Sequence, residues 1–313
     1  MLSVQLIGLG NIGMGYDLSD EGFLDGQTKT HAKAILESFD FELASFVDVS
    51  LEKVISAQKF FKALKILDSK FPGASPVPDL VVVAVSTTEH ASVVESLIYP
   101  PKILIIEKPA GSTSIECSRI ASWGVKNNVQ IFINYFRRYL SCSENSRLYF
   151  SGLKTGKFLA AEINAYGTLL NTHSHFIDLG FFLTSQQIFC DCLTKTKNQV
   201  GGVLVAFCEN CNTAFRLGGI GELKQEISMS LEFEFADVLI TEDGQRIEIV
   251  DKVRHVSKVF SCGSTEYANY QKVVYQKIGV MLRIGEVKEC YLGLDHASKV
   301  HRFIESVDSN NEA

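Results

Sequence analysis

Val4-Gln5-Leu6-Ile7-Gly8-Leu9-Gly10-Asn11-Ile12-Gly13 is the stretch that decides how this chain folds. An apolar run of strand length leads into glycines spaced Gly-x-Gly-x-x-Gly. Each glycine answers a different need: a tight turn at Gly8, close approach of a ligand to the backbone at Gly10, and helix-on-strand packing at Gly13. The pattern alone is weak. It gains weight by following a strand and opening a series of βαβ units.

Further buried strands are expected at 43–49, which contains Asp48, and at 80–85, 103–106 and 129–133. Helical patterns over Thr30 to Phe39, Leu51 to Ala63, His90 to Leu97 and Ser114 to Asn127 alternate with them. This alternation predicts an α/β fold with a doubly wound parallel sheet. Its near-continuous apolar strands fit a sheet covered on both faces. A first domain is therefore expected over residues 1–135. Beyond it, one helix is expected from Thr172 to Leu183. Strand-like segments follow at 187–195, 201–209, 212–219, 226–234, 236–241 and 245–250, with turn signals such as Asp243-Gly244. This pattern predicts an α+β domain over 136–290 with a mostly antiparallel, open-faced sheet for substrate binding and oligomerisation. Helical periodicity returns over 266–284 and 291–307, and the terminal helix, 291–308, is expected to pack back on the first domain.

The 313 residues are 46% apolar and 21% charged, with a formal net charge of -6, which gives no electrostatic footprint for nucleic acid. Apolar runs such as Leu80 to Val85 are too short to span a bilayer, so no membrane partner is expected. Met1-Leu2-Ser3 leads straight into a strand without a basic or cleavable leader, and a cytoplasmic location is expected. The eight cysteines are then reduced. Cys190-Asp191-Cys192 with Cys208-Glu209-Asn210-Cys211 has a loose four-thiolate zinc spacing. Small thiols in a sheet core explain it better, and no metal is expected.

In its strand–turn–helix setting, Gly8-Leu9-Gly10-Asn11-Ile12-Gly13 reads as a dinucleotide fingerprint. The following Met14 to Lys29 is polar, carries Asp17, Asp20, Glu21 and Asp25, and lacks helical periodicity. It reads as a 16-residue insertion, either a surface excursion or a lid. Subtracting 16 from the Gly13-to-Asp48 gap of 35 leaves 19, close to the usual spacing of about 20 for a ribose-binding acid. Asp48 would bind the ribose hydroxyls and disfavour a 2′-phosphate, so NAD is expected rather than NADP. The alternative for Asp48 is a helix N-cap, a role that Ser50 would also fill.

Ile103-Leu104-Ile105-Ile106 runs into Glu107-Lys108-Pro109, which places a lysine at the carboxyl end of a parallel strand, where open α/β sheets bind ligands. These residues, the glycine fingerprint, Ser86-Thr87-Thr88-Glu89-His90, the helix from Asn171 to Asp178 and the ending Leu294-Asp295-His296-Ala297 together resemble the glucose–fructose oxidoreductase, inositol dehydrogenase and MocA (Gfo/Idh/MocA) family. The resemblance covers most of the chain. It implies an NAD(P)-dependent oxidoreductase acting on a hydroxyl of a sugar, sugar nucleotide or cyclitol. Lys108 would lie beside nicotinamide and substrate, with Ser86, Thr87, His90 and Glu107 on the cofactor side. The family's helix carries an aspartate four residues before a histidine; here Asn171 and His175 hold those positions. His175 is the acid–base candidate. Asn171 is left to hydrogen-bond substrate, since it cannot take a proton. His173, two residues away, points elsewhere. Tyr135 and Arg138, at the domain junction, would line the substrate crevice, with an interdomain salt bridge as the competing role for the arginine. An open sheet rich in Val, Leu, Phe and Cys would be covered in a homo-oligomer, a dimer or tetramer. The same fold also serves non-catalytic dinucleotide-binding sensors, and Asn171 makes that the second reading.

Overall fold

The computed structural model describes residues 1–19, 22–23, 26–60, 65–66, 77–185, 195–200, 203–208, 213–220, 227–285, 287 and 294–308. In chain order the elements begin with β1 (Leu2–Ile7), β2 (Leu18–Ser19), β3 (Gly22–Phe23), α1 (His31–Leu36), β4 (Phe41–Val47) and α2 (Leu51–Phe60). Then come β5 (Lys65–Ile66), β6 (Leu80–Val83), α3 (His90–Glu95), β7 (Ile103–Ile106), α4 (Ser114–Asn127) and β8 (Gln130–Ile133). The second half carries α5 (Ser141–Ser151), β9 (Phe158–Gly167), α6 (Ser174–Thr184), β10 (Lys195–Val200), β11 (Val203–Cys208) and β12 (Thr213–Ile220). It closes with β13 (Ser228–Phe233), β14 (Ala236–Thr241), β15 (Arg246–Asp251), β16 (Val256–Ser261), α7 (Ser264–Ala268), α8 (Tyr270–Ile284) and α9 (Leu294–Asp308).

The chain divides into two compact units. The first comprises Met1–Phe136 with Ala268–Asp295, the second Arg137–Tyr267 with His296–Ala313. In the first, a parallel sheet runs β5-β4-β1-β6-β7-β8. Counted within the sheet, that order is 3-2-1-4-5-6, so the connections reverse direction between β1 and β6, where doubly wound sheets open a ligand crevice. β6 and β7 are buried along their whole lengths, which is why their sequences are unbroken Leu, Val and Ile. α4 begins with Thr113, whose side chain accepts from the Glu116 amide, and ends at Asn128 in the left-handed conformation.

The first helix is split. Met14 N–H bonds Gly10 O one turn on, and the chain then leaves in a 3-10 turn at Gly15–Asp17 and the β2–β3 hairpin. It resumes where His31 N–H bonds Ile12 O and Ala32 N–H bonds Gly13 O. Each of these bonds spans 19 residues where a helix spans four, so 15 residues are spliced in. Buried Asp17 closes the splice: its Oδ2 accepts from the amides of Lys29 and Thr30, both at 2.7 Å, and from the Thr30 hydroxyl at 2.9 Å. The expected helix start at Thr30-His31 is observed, with Thr30 as its N-cap.

In the second unit the sheet runs β10-β11-β12-β9-β13-β14-β15-β16, antiparallel except where β12 lies parallel to β9. The long central strand β9 and helix α5 were not anticipated from the sequence. Ala160, Ala161, Glu162, Asn164 and Ala165 blur the alternation of β9, although its burial alternates cleanly from Ala161 on. Along β13, Met229, Leu231 and Phe233 point inward while Ser230 and Glu232 are exposed. The outward groups on neighbouring strands include Glu162, Arg216, Asp237 and Glu248. Apolar side chains are also exposed on this sheet: Leu159, Leu239, Val256 and Val259, on β9, β14 and β16. Cys190, Cys192 and Cys211 lie outside the described residues, as does nearly all of the expected strand at 187–195.

A second difference concerns the C-terminal helices. α9 groups with the second unit, where the Phe303 ring packs against Phe215 with centroids 5.2 Å apart. The helix that joins the first unit is α8 instead. Its Tyr275 ring meets Phe41 edge-on at 5.5 Å, and Gly279 lies against Asp40, where a side chain would not fit. Amphipathic periodicity marks both helices in sequence and does not disclose which core each one covers. Among the described residues no helix is long and apolar enough to cross a membrane.

Candidate dinucleotide cleft

A cleft of about 560 Å³ opens at the carboxyl ends of β1, β4 and β6, at the switch point of the sheet. It is lined by Gly8, Gly10, Asn11 and Ile12 from the glycine turn, Asp48 after β4, and Ser86 after β6. The three fingerprint glycines divide the work as their spacing requires. Gly8 has φ +98°, and a Cβ there would lie 2.5 Å from Ala84 O. A Cβ on Gly13 would lie 2.1 Å from Gly8 O, so the helix packs on the strand only without a side chain. At Gly10 a Cβ meets nothing within 4 Å; the space beside it is the cleft itself. The first intrahelical bond of the turn is Met14 to Gly10, which leaves the amides at its start to an anionic ligand.

Asp48 is 8% exposed. Its Oδ2 accepts from the Leu9 amide at 2.7 Å and its Oδ1 from the Ser50 amide at 2.8 Å, which leaves each oxygen acceptor capacity toward the cleft. The capping role falls to Ser50, whose hydroxyl accepts from Lys53 N. With 15 residues spliced in, the Gly13-to-Asp48 gap of 35 reduces to 20, closer to the fingerprint spacing than the sequence count. Lys53, with Nζ 3.9 Å from Asp48 Oδ2, and Tyr16 from the insertion also line the cleft. Neither was singled out in the sequence, because neither carries a motif. The residues present therefore fit a dinucleotide: a backbone cradle at Gly10 and an acid positioned for ribose hydroxyls. Gly13, Thr87, His90, Glu107 and Lys108 do not line this cleft.

The Glu107-Lys108-Pro109 turn sits one strand further along, at the end of β7. Lys108 is half-buried, and its peptide bond to Pro109 is cis. A histidine bonds each side of the turn. His90, 1% exposed, has Nδ1 3.1 Å from Pro109 O and Nε2 3.1 Å from Val85 O. Burial lowers its affinity for a proton, so the neutral ring donates to one of these carbonyls at a time. It ties the loop after β6 to the turn after β7. On the other side, His31 Nε2 is 2.9 Å from Glu107 Oε1, and Asn134 Nδ2 donates to the same oxygen. Burial pushes the Glu107 carboxyl up, but bonds from His31 and Asn134 and the charge of Lys108 hold it below the usual carboxylate range.

In the second unit, His175 stands at the start of α6 and is 7% exposed, while Asn171 is exposed. The expected helix start at Thr172 moves to Leu169, where a wider π turn over Leu169–His173 precedes α6. Thr168 caps it, accepting from the Asn171 amide at 3.2 Å. His173 is fully buried and bonds Gly218 O at 3.0 Å, a strand-to-helix tie; burial lowers its proton affinity.

Arg138 requires a correction. It is fully buried, its Nε donates to Asp178 Oδ2 at 2.6 Å and its second nitrogen donates to Asp178 Oδ1. This bidentate pair lies inside one unit and engages both oxygens of Asp178, the carboxylate nearest to His175 on α6. Tyr135 is likewise fully buried and belongs to the first unit. Arg137 bonds Asp243, its Nε reaching the main-chain oxygen at 3.0 Å, and lies over the Phe176 ring at 4.9 Å.

Comparison with curated protein sequences finds no match. Residues 2–135 match the family described as oxidoreductase family, NAD-binding Rossmann fold (GFO_IDH_MocA). Solved structures match over nearly the whole chain. A super-repressor mutant of Gal80p from Saccharomyces cerevisiae superposes with TM-score 0.72 at 17% identity, covering 99% of this chain and 96% of that one. UDP-N-acetylglucosamine 3-dehydrogenase GnnA from Acidithiobacillus ferrooxidans gives 0.69 at 13% identity, covering 99% and 97%. An oxidoreductase from Agrobacterium radiobacter, in complex with NAD+, L-tartaric acid and magnesium, gives 0.69 at 13%, covering 99% and 96%. With the fingerprint glycines, Asp48 and the 3-2-1-4-5-6 sheet in place, residues 2–135 carry the NAD-binding Rossmann fold that the Gfo/Idh/MocA oxidoreductase family model describes.

Proposed function

We propose that the protein is an NAD-dependent oxidoreductase that moves hydride between nicotinamide and a secondary hydroxyl or ketone of a sugar, sugar nucleotide or cyclitol. The observation that carries this reading is the pairing of a dinucleotide cleft with a half-buried lysine at the end of the adjacent strand β7. Bound NAD would supply the hydride acceptor. Asp48 would hold the adenosine ribose and disfavour a 2′-phosphate. The Lys108 ammonium would stabilise the alkoxide that develops on the substrate oxygen. His175 would take the hydroxyl proton, with Asn171 offering a hydrogen bond to a neighbouring hydroxyl. A dehydrogenase of a sugar nucleotide is among the matched folds and supports the substrate class.

A second reading, a dinucleotide-binding regulator without turnover, draws on Asn171 in the place of the family's aspartate and on the match to the transcriptional regulator Gal80p. One experiment separates the two. The purified protein is incubated with NAD and a panel of sugars, cyclitols and sugar nucleotides, and NADH absorbance is followed. Turnover on any member establishes the oxidoreductase. NAD binding with no turnover across the panel favours the regulator.

A further inference from the structure

The dinucleotide cleft carries a cation that no motif marks. Lys53 stands in the first turn of α2 and lines the same cleft as Asp48. Short-range bonds fix where its side chain starts. The Ser50 amide donates to Asp48 Oδ1 at 2.8 Å, and the Lys53 amide donates to the Ser50 hydroxyl at 3.4 Å. Helix stability does not account for a lysine at this position. The first turn of a helix carries partial positive charge, which disfavours a cation there. Among the described residues that line the cleft, Lys53 is the one cation, and Asp48 and Glu89 are the carboxylates.

Lys53 Nζ lies 3.9 Å from Asp48 Oδ2. That separation is too long for a hydrogen bond and short enough for the two charges to offset each other. The three N–H donors of the ammonium are therefore not spent on Asp48. The Lys53 side chain is 48% exposed and that of Asp48 7%. The lysine is thus free to swing, while the carboxylate is held by the Leu9 and Ser50 amides. A phosphate beside Asp48 would meet one fixed anion and one mobile cation with open donors. We propose that Lys53 receives the 2′-phosphate of NADP, so that the cleft takes NADP as well as NAD. Asp48 alone selects against that phosphate. Lys53 offsets the selection by its charge and by donating to the phosphate oxygens. When NAD binds, the Asp48 oxygens still have acceptor capacity for the ribose hydroxyls. The proposal widens the cofactor of the oxidoreductase reading and rests on its placement of Asp48 at the adenosine ribose.

Binding alone tests this, without a substrate. Calorimetric titration of the purified protein with NAD and with NADP gives the ratio of the two affinities. Wild type is compared with K53M, which keeps the length of the side chain and loses its charge, and with K53R, which keeps the charge. Wild type is expected to bind NADP within about tenfold of NAD, and K53M to lower the NADP-to-NAD affinity ratio about tenfold or more, the scale of one charge-assisted phosphate contact. K53R is expected to hold the ratio near wild type. A ratio unchanged in K53M overturns the proposal. So does a wild type that binds NAD and takes NADP more than about tenfold more weakly, or a ratio that falls as far in K53R as in K53M. In each of these three cases NAD still binds, and the dinucleotide reading of the cleft stands. A wild type that binds neither dinucleotide refutes that reading, and the proposal with it.

Discussion

Gly10→Ala and Gly13→Ala separate ligand approach from packing within one turn. At Gly13 the new methyl would lie 2.1 Å from Gly8 O, 3.1 Å from Gly8 C and 3.2 Å from Leu9 Cα, all main-chain atoms that cannot rotate away. Helix and strand must separate, which as overpacking costs about 1–3 kcal/mol. For a unit of this size that lowers Tm by several degrees. At Gly10 nothing lies within 4 Å, and φ is not in the left-handed region. Gly10→Ala is therefore expected to leave stability unchanged or raise it by about 0.4–1 kcal/mol through the unfolded chain. Its methyl instead occupies the face of the turn where a pyrophosphate must approach, so NAD affinity should fall at least tenfold, about 1.4 kcal/mol. Urea denaturation of the ligand-free protein measures the first quantity and calorimetric titration with NAD the second. Wild-type NAD affinity in Gly10→Ala would refute the placement of the cofactor against this turn. A stability loss at Gly10 equal to that at Gly13 would refute the packing argument.

Lys108→Ala should cut turnover by about 10²-fold or more while NAD affinity stays near wild type, since general acid–base or charge stabilisation is lost and the cleft is not; single-turnover kinetics with NAD titration reads both. Arg138→Ala leaves Asp178 buried without its partner and should cost about 3–5 kcal/mol, read by urea denaturation; a variant of normal stability with only a raised KM would return Arg138 to the substrate. His90 and His173 have proton affinities lowered below the ordinary histidine value of 6.5, so the unfolded chain binds the proton more readily. Stability should fall as pH drops through that value, and His173→Gln should flatten the decline. Glu107, held below the ordinary 4.5, adds stability that is present above that value and lost as pH falls through its folded value. Denaturation midpoints measured from pH 8 down to about pH 2 check both signs.

Local patterns carried much of this protein. The fingerprint glycines, the all-apolar strands β6 and β7 and the Thr30 cap are each legible because one residue type satisfies one short-range demand: positive φ, burial on both faces, or an orphan amide. Even the insertion was visible, since polarity without periodicity interrupts the expected helix. Its length was not; the main-chain bonds at His31 and Ala32 decide it, and such bonds join residues 19 apart. The fate of the charged residues was equally hidden. Arg138 and Asp178 are 40 apart in sequence, His31 and Tyr275 244 apart. Periodicity shows that a side chain faces inward and cannot say which buried partner it will meet. By itself the sequence disclosed the alternating α/β plan and the cradle at Gly10 from short-range patterns, and Asp48 from its spacing to the glycines; that Asp48 accepts from Leu9, 39 residues away, is set by the pairing of β1 with β4. Tertiary structure alone assigned α8 to the first core, paired Arg138 with Asp178 and set His31 against Glu107. A buried charge takes its role from whichever group the fold brings within hydrogen-bonding distance.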